Sequence, residues 1–324
     1  MRMRTILGRL AAGAAALTLA ASVSGCGNKA QESNGTIAVI CKAQGVQFWE
    51  YAQKGAEDGG EEMMYDIYYD APVNETVDDQ AVIIQNAIDM GVDAIVLAPV
   101  DTDKLNDKLE AADSAGIPVI TIDSSVSYEG VKSIISSQNT SAGSIAGRKA
   151  NDLLGGSGKI AIVGHVEGAQ TTIERESGFI SAIDAVPGAD YKFVETVYCN
   201  NEADIAKEQT LMLIEQNPDI SLIYGTNESA SIGVCQAVSE KGLSGQIKVI
   251  GFDSAEAEVN FIKDGTLNGM IVQNPYNMGY LGVRNAMKVL NGQTVAKSID
   301  TGVTFVDKDN IDEEYVQHLL YPEN

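Results

Sequence analysis

An α/β protein of two lobes, each a parallel sheet flanked by helices, is predicted by three observations. Short apolar runs alternate with stretches at helical period along the chain. One block, Gly35-Thr-Ile-Ala-Val-Ile-Cys-Lys-Ala-Gln-Gly45, is echoed by Gly158-Lys-Ile-Ala-Ile-Val-Gly-His-Val-Glu-Gly168, and the register holds without a gap to Gly55 and Gly178. Second echoes follow. Gly91-Val-Asp-Ala-Ile-Val-Leu-Ala-Pro99 runs on to Pro118-Val-Ile-Thr-Ile-Asp-Ser124, and Asn217-Pro-Asp-Ile-Ser-Leu-Ile-Tyr-Gly225 to Val249-Ile-Gly-Phe-Asp-Ser254. Two similar halves present two similar edges to one gap, and a ligand there is held from both sides.

The elements follow in order. Arg2, Arg4 and Arg9 precede an apolar run, Leu10 to Ala21, that is too short for a permanent membrane helix. Val23-Ser24-Gly25-Cys26 resembles a bacterial lipobox, which implies a signal peptide over 1–25, lipid on the Cys26 thiol and a polar tether over 26–35. Ile37 to Cys41 reads as a strand, Phe48 to Glu62 as a helix and Asp66 to Asp70 as a strand. Val77, Ala81, Ile84 and Ile88 share one helical face. Ala94 to Ala98 is a buried strand closed by Pro99. Leu105, Leu109 and Ala112 mark a helix ended by Gly116, and Ile117 to Ile122 is the next strand. This βαβα order implies right-handed crossovers. In the second half Ile160 to Val163, Tyr191 to Val197, Ser221 to Tyr224 and Lys248 to Phe252 are strands, with Ala142, Ala146, Ala150 and Leu153 on the helix that leads in. Two segments stand outside the repeat: strand Gly269 to Gln273 with helix Tyr280 to Leu290, and Thr301 to Val306.

The 324 residues carry a formal net charge of −23, so the surface repels phosphate backbones and nucleic acid is excluded as a partner. Beyond Cys26, the cysteines Cys41, Cys199 and Cys235 show no metal-ligand spacing and read as buried thiols; no metal or cofactor is expected. Catalytic patterns are thin. There is no Gly-x-Ser-x-Gly, and Gly155-Gly-Ser-Gly-Lys159 precedes its strand and lacks the Ser/Thr of a phosphate loop. His318 lies in a polar tail, and Asp58, Glu61 and Glu62 read as a solvated helix face.

In open parallel sheets ligands bind beyond the carboxyl ends of the strands. Lys42, Phe48 and Trp49 follow the first strand, where an aromatic ring either stacks on the C–H face of a sugar or packs its helix on the sheet. Asp123-Ser124, Asn227-Glu228, Asp253-Ser254 and Gln273-Asn274 follow later strands. One such residue is explained by helix capping, but four in corresponding places supply the acceptors and amides that read neutral hydroxyls.

The lipobox, the doubled pattern, Ile117-Pro-Val-Ile-Thr-Ile-Asp123, Arg175-Glu-Ser-Gly-Phe179 and Val249-Ile-Gly-Phe-Asp253 resemble the ribose-binding-protein-like branch of type I periplasmic binding proteins over residues 36 to 306. The resemblance implies two Rossmann-like lobes joined by a three-segment hinge, with crossings near Ser137–Asn139, Gln273–Pro275 and Thr301–Val303. The N-terminal lobe is then 36–137 plus 275–301, and the C-terminal lobe 138–274 plus 302–324. It places ligand contacts at Phe48, Trp49, Asp123, Asn227, Asp253 and Gln273. Ser124 and Ile173 stand where arginines are usual, and Asn201 where an aromatic closes over the ring. Their side chains put ribose in doubt. Lys42 and His165 either replace the missing donors or are solvated rim residues, the reading preferred here.

The implied function is the substrate-binding component of an ABC importer, capturing a neutral sugar or polyol by hinge closure without chemistry. Its partners are the permease and, through Cys26, membrane lipid. A monomer on the outer face of the cytoplasmic membrane is expected. A ligand-sensing subunit of a membrane receptor is the alternative, with an exported carbohydrate-acting enzyme behind it.

Overall fold

The computed structural model describes residues 33–322. The signal, Cys26 and nearly all of the tether lie outside the described residues. In the N-terminal lobe β1 (Thr36–Ile40), α1 (Gln47–Met63), β2 (Asp66–Asp70), α2 (Val77–Met90), β3 (Ala94–Leu97), α3 (Asn106–Ser114), β4 (Val119–Ile122) and β5 (Ser133–Ser136) follow in sequence. The C-terminal lobe contains α4 (Asn139–Leu154), β6 (Ser157–Gly164), α5 (Gln170–Asp184), β7 (Asp190–Phe193), β8 (Val197–Tyr198), α6 (Ala203–Gln216), β9 (Ile220–Gly225), α7 (Glu228–Glu240), β10 (Lys248–Phe252), α8 (Glu256–Asp264) and β11 (Gly269–Val272). The chain returns with α9 (Pro275–Leu290) and β12 (Ser298–Asp300), then ends with β13 (Thr304–Val306) and α10 (Glu314–Leu320).

The two sheets have one plan. Their orders are β12-β5-β4-β3-β1-β2 and β13-β11-β10-β9-β6-β7, with β8 also on β6. All pairings between these strands are parallel except β11 with β13. The chain passes between sheets at 137–138, 273–274 and 301–303.

Both sheet faces are covered, which is why the strands read as unbroken apolar runs and not as alternating ones. In the first lobe Val39, Val96 and Ile120 pack under α1 and α9, while Ala38, Ile40, Ile95 and Leu97 pack under α2 and α3. The echo at Gly55 and Gly178 has a packing reason. A methyl group on Gly55 would overlap the Tyr276 carbonyl of α9, and one on Gly178 the Thr140 carbonyl of α4. Each lobe thus seats the helix after its first strand backbone-to-backbone on a neighbouring helix. Gly178→Ala is expected to cost about 1–3 kcal/mol by overpacking, despite alanine's better helix propensity. A urea midpoint at or above that of the parent would refute this.

Five elements differ from the sequence reading. Tyr191 to Val197 is two strands, because β7 pairs with the first half of β6 and β8 with its last residues, Val163 and Gly164. Thr301 to Val306 is broken at Gly302, whose φ of 72° turns the chain from one sheet into the other. Helix α9 begins at Pro275, not Tyr280, since Asn274 accepts from the Asn277 N–H and Pro275 needs no donor partner there. Strand β5 and helix α10 had no clear sequence signal: β5 is four residues ending in serines, and α10 buries only Val316 and Leu320. Asp58 and Glu62 are not merely solvated, because they accept from the Tyr276 and Tyr280 hydroxyls of α9. Cys41, Cys199 and Cys235 are free and buried.

Candidate functional site

The carboxyl ends of β1, β4, β6, β9 and β10 face a cavity between the lobes. Lys42, Val46, Phe48, Trp49, Glu75 and Asp123 line it from the N-terminal lobe. His165, Thr171, Arg175, Asn201, Asn227, Glu228, Asp253 and Gln273 line it from the other.

Asp123 and Asp253 occupy equivalent places after β4 and β10. Both adopt left-handed backbone, with φ of 63° and 83°. Each is held there by the next strand: Asp123 N–H donates to the Ile135 carbonyl at 2.9 Å, and Asp253 N–H to the Ile271 carbonyl at 2.8 Å. Such conformations cost roughly 1–3 kcal/mol and persist where the surroundings over-determine them. Here the strain turns two carboxylates toward one gap.

Their chemistry then diverges. Lys42 Nζ lies 2.8 Å from Asp123 Oδ2 and donates to Ser124 Oγ at 2.7 Å, while Ser124 Oγ donates to Asp123 Oδ2 at 2.8 Å. Burial alone would raise the Asp123 carboxyl, but Lys42 beside it, helped by Arg175, holds it below the usual carboxylate range. Asp253 accepts from Gln273 Nε2 at 2.8 Å and from the Glu228 N–H at 3.0 Å. Burial raises its carboxyl, against the opposing pull of Arg175. Lys42→Met is expected to lose at least about 3 kcal/mol of stability, since it strands a buried carboxylate. A melting temperature unchanged by this variant would contradict a structural ion pair.

Arg175 is almost fully buried. Its Nε donates to Asn139 Oδ1 at 2.8 Å and its Nη1 to the Thr226 carbonyl at 2.9 Å, and its guanidinium carbon lies 3.8 Å from the Phe252 ring centre. His165 Nδ1 lies 2.7 Å from Thr172 Oγ1. Burial, with Arg175 and Lys42 adding, holds this imidazole well below its ordinary value, so it is neutral.

Several contacts join the lobes. Helix α1 has no side-chain cap of its own; instead Glu228 Oε1 and Oε2 accept from the Gln47 and Phe48 N–H groups at 3.2 and 3.1 Å. Asn201 Nδ2 donates to Glu75 Oε2 at 3.0 Å, and Ser125 Oγ donates to Gln170 Oε1 at 3.0 Å. The lobes are closed on one another.

The structure brings Phe48, Trp49, Asp123, Asn227, Asp253, Gln273, Lys42 and Asn201 around one cavity. Phe48 and Trp49 pack edge-to-face at 4.7 Å, belong to the core beneath α1 and also line the cavity. Asn227 caps α7 through the Ala230 N–H and still faces the cleft. Ser124 stands behind Asp123 and does not line the cavity. Two expectations are corrected. Ile173 is 54% exposed: on α5 the buried face runs through Thr171, Thr172, Arg175 and Phe179, and residue 173 points away from it. Lys42 and His165 are not rim residues, being 5% exposed each.

The sequence reading does not include Arg175 and Glu75 among the site residues, and names Glu228 only as a strand-end group beside Asn227. The strand-end rule applied after β2 would have pointed to Glu75, whereas no local signal separates Arg175 from a solvated helical arginine. Among the described residues no helix is long and apolar enough to cross a membrane, and no His, Cys, Asp and Glu cluster is arranged to hold a metal.

Two parallel-sheet lobes, closed over a polar cavity at their strand ends, define the class of binding proteins that enclose a small solute. The chain belongs to the periplasmic binding protein domain family, whose pattern matches residues 37–294. It is 32% identical to the ribose import binding protein RbsB of Bacillus subtilis over 218 residues, 67% of this chain and 69% of that one. A solute-binding protein of an Agrobacterium vitis ABC transporter with bound D-fucose superposes with a TM-score of 0.85 at 36% identity, covering 89% of this chain and all of that one. A second from the same organism, bound with α-D-tagatopyranose, gives 0.85 at 31% identity, over 88% and 99%.

Proposed function

We propose that this chain is the substrate-binding component of an ABC importer and captures a neutral sugar or sugar-like polyol between its lobes, releasing it unchanged. The observation that carries this reading is the cavity's composition: an aromatic pair beside carboxylates and amides, enclosed from both lobes. The relatives' sugar ligands support it. The reading includes export and a lipid anchor on Cys26, a monomer, hinge segments at the three passages between sheets, and lobes divided at 137/138, 274/275 and 301/302. Ligand contacts are assigned to Phe48, Trp49, Asp123, Asn227, Asp253 and Gln273, with Lys42, Arg175 and Asn201 beside them.

Titration of the purified protein with monosaccharides and polyols, followed by Trp49 fluorescence and melting temperature, tests it. A true ligand at a hundred times its Kd stabilises by about 2.7 kcal/mol. If no sugar or polyol does so, the reading is wrong. Asp253→Ala and Asn227→Ala should each weaken binding by roughly 1–3 kcal/mol, because ligand hydroxyls lose a buried partner. Unchanged affinity in both would remove the C-terminal lobe from the site.

A further inference from the structure

The cavity has two unlike walls. Its aromatic lining residues, Phe48 and Trp49, both come from the first turn of α1 in the N-terminal lobe. The C-terminal lobe lines the cavity with polar side chains alone. Across these runs a hydrogen-bonded chain that reaches back to the first lobe. The Ala230 N–H donates to Asn227 Oδ1 at 3.0 Å, Asn227 Nδ2 to Asn201 Oδ1 at 2.7 Å, and Asn201 Nδ2 to Glu75 Oε2 at 3.0 Å. Asn200 and Asn201 both hold left-handed backbone, with φ of 51° and 62°, a conformation asparagine tolerates better than most residues. The turn therefore presents the Asn201 amide in one fixed place. Each member of this chain has spent only part of its polar head. Glu75 Oε1 and the second N–H of each amide have no hydrogen-bond partner among the described residues, and all three residues line the cavity.

A pyranose chair with every hydroxyl equatorial shows C–H groups on both faces, so it suits two apolar walls. A chair with an axial hydroxyl has one polar face and keeps a continuous C–H patch on the other. Placing a C–H face against the bridge would strip water from Glu75 and the amides and return nothing. We propose that the ligand is a pyranose bearing an axial hydroxyl on the face turned to the Glu75–Asn201–Asn227 bridge, with its C–H patch on Trp49, and that Glu75 is a residue that separates such epimers. The inference rests on the sugar-binding reading and narrows it.

Calorimetric titration of the full protein with epimer pairs tests it: D-galactose and D-allose each against D-glucose, and D-ribose against D-xylose. At least one axial epimer is expected to bind about ten-fold more tightly than its all-equatorial partner or better, the scale of one buried hydrogen bond made or lost. Glu75→Ala should collapse that ratio by weakening the axial epimer more than its equatorial partner, and Glu75→Gln, which keeps a polar head in place, should restore part of it. Melting temperatures establish that both variants fold, and Asn201→Ala repeats the measurement should Glu75→Ala fail to fold. Glucose or xylose binding as tightly as its epimers, or a ratio that survives both alanine variants, overturns this inference and leaves sugar binding standing. Failure of every sugar to bind overturns the functional reading, and this one with it.

Discussion

Arg175→Met is expected to abolish measurable ligand binding and to remove about 3–5 kcal/mol of stability, because it breaks two charge-assisted hydrogen bonds and a ring contact at a buried site. The side chain is a three-way tie. It holds Asn139 at the first passage between lobes, the Thr226 carbonyl just before α7, and the face of Phe252 just before Asp253. Bonds from a charged donor contribute roughly 1.5–3 kcal/mol each, so two of them and the ring contact reach this range. Asp253 also loses the cation that opposes its burial. Arg175→Lys should not rescue binding, because an ammonium cannot reproduce the planar fork that meets Asn139 and Thr226 together. Urea denaturation and sugar titration of both variants check this. A lysine variant with parental stability and affinity would show that only the charge matters.

Ligand affinity is expected to fall as pH rises from about 5 to 8, and Glu228 is the main reason. Its carboxyl is pushed up to about 7 in the closed protein from an ordinary 4.5, first by burial and then by Asp253, with the Gln47 and Phe48 N–H groups pulling the other way. Glu50 on α1 and the buried Glu258 on α8 add to the negative surroundings. In an open form Glu228 meets water. The closed form therefore binds the proton more tightly. Its advantage is full below the ordinary value and disappears as pH climbs through the closed-state value, a difference of roughly 3 kcal/mol over the window. Asp253, which lines the cavity, is raised too and acts in the same direction. Asp123 is lowered, so its contribution is lost only as pH falls through the acid range. Glu228→Gln should flatten the profile while weakening one cross-lobe hydrogen bond. A parental Kd constant between pH 5 and 8 would sink the idea.

Much of this molecule is written in local patterns. Continuous apolar runs such as Ile37 to Cys41 and Ala94 to Ala98 mark strands covered on both faces, and the glycines at 55 and 178 mark close helix contacts. These are properties of a segment and its period, so neighbours in sequence carry them. The strand-end rule likewise pointed to Asp123, Asn227 and Asp253, because a parallel sheet sends every strand end to the same rim.

What tertiary structure decided is how those ends face one another. Nothing local distinguishes Arg175, which lies in the cleft, from a solvated helical arginine, nor Ile173, which lies outside it, from a core isoleucine. That choice depends on which face of α5 meets α4 and the sheet. Lys42 is buried and not at the rim because Asp123 and Ser124, at a strand end far along the chain, close over it together with Trp49 of α1. Glu228 caps a helix in the other lobe, and Glu75 meets Asn201 only when the lobes close. The sequence by itself determined the two sheets and the rim where a ligand binds. The packing of one half on the other decided which polar groups are buried, which are charged and which remain free for a ligand, since those properties depend on desolvation and distance between segments that the chain does not place side by side.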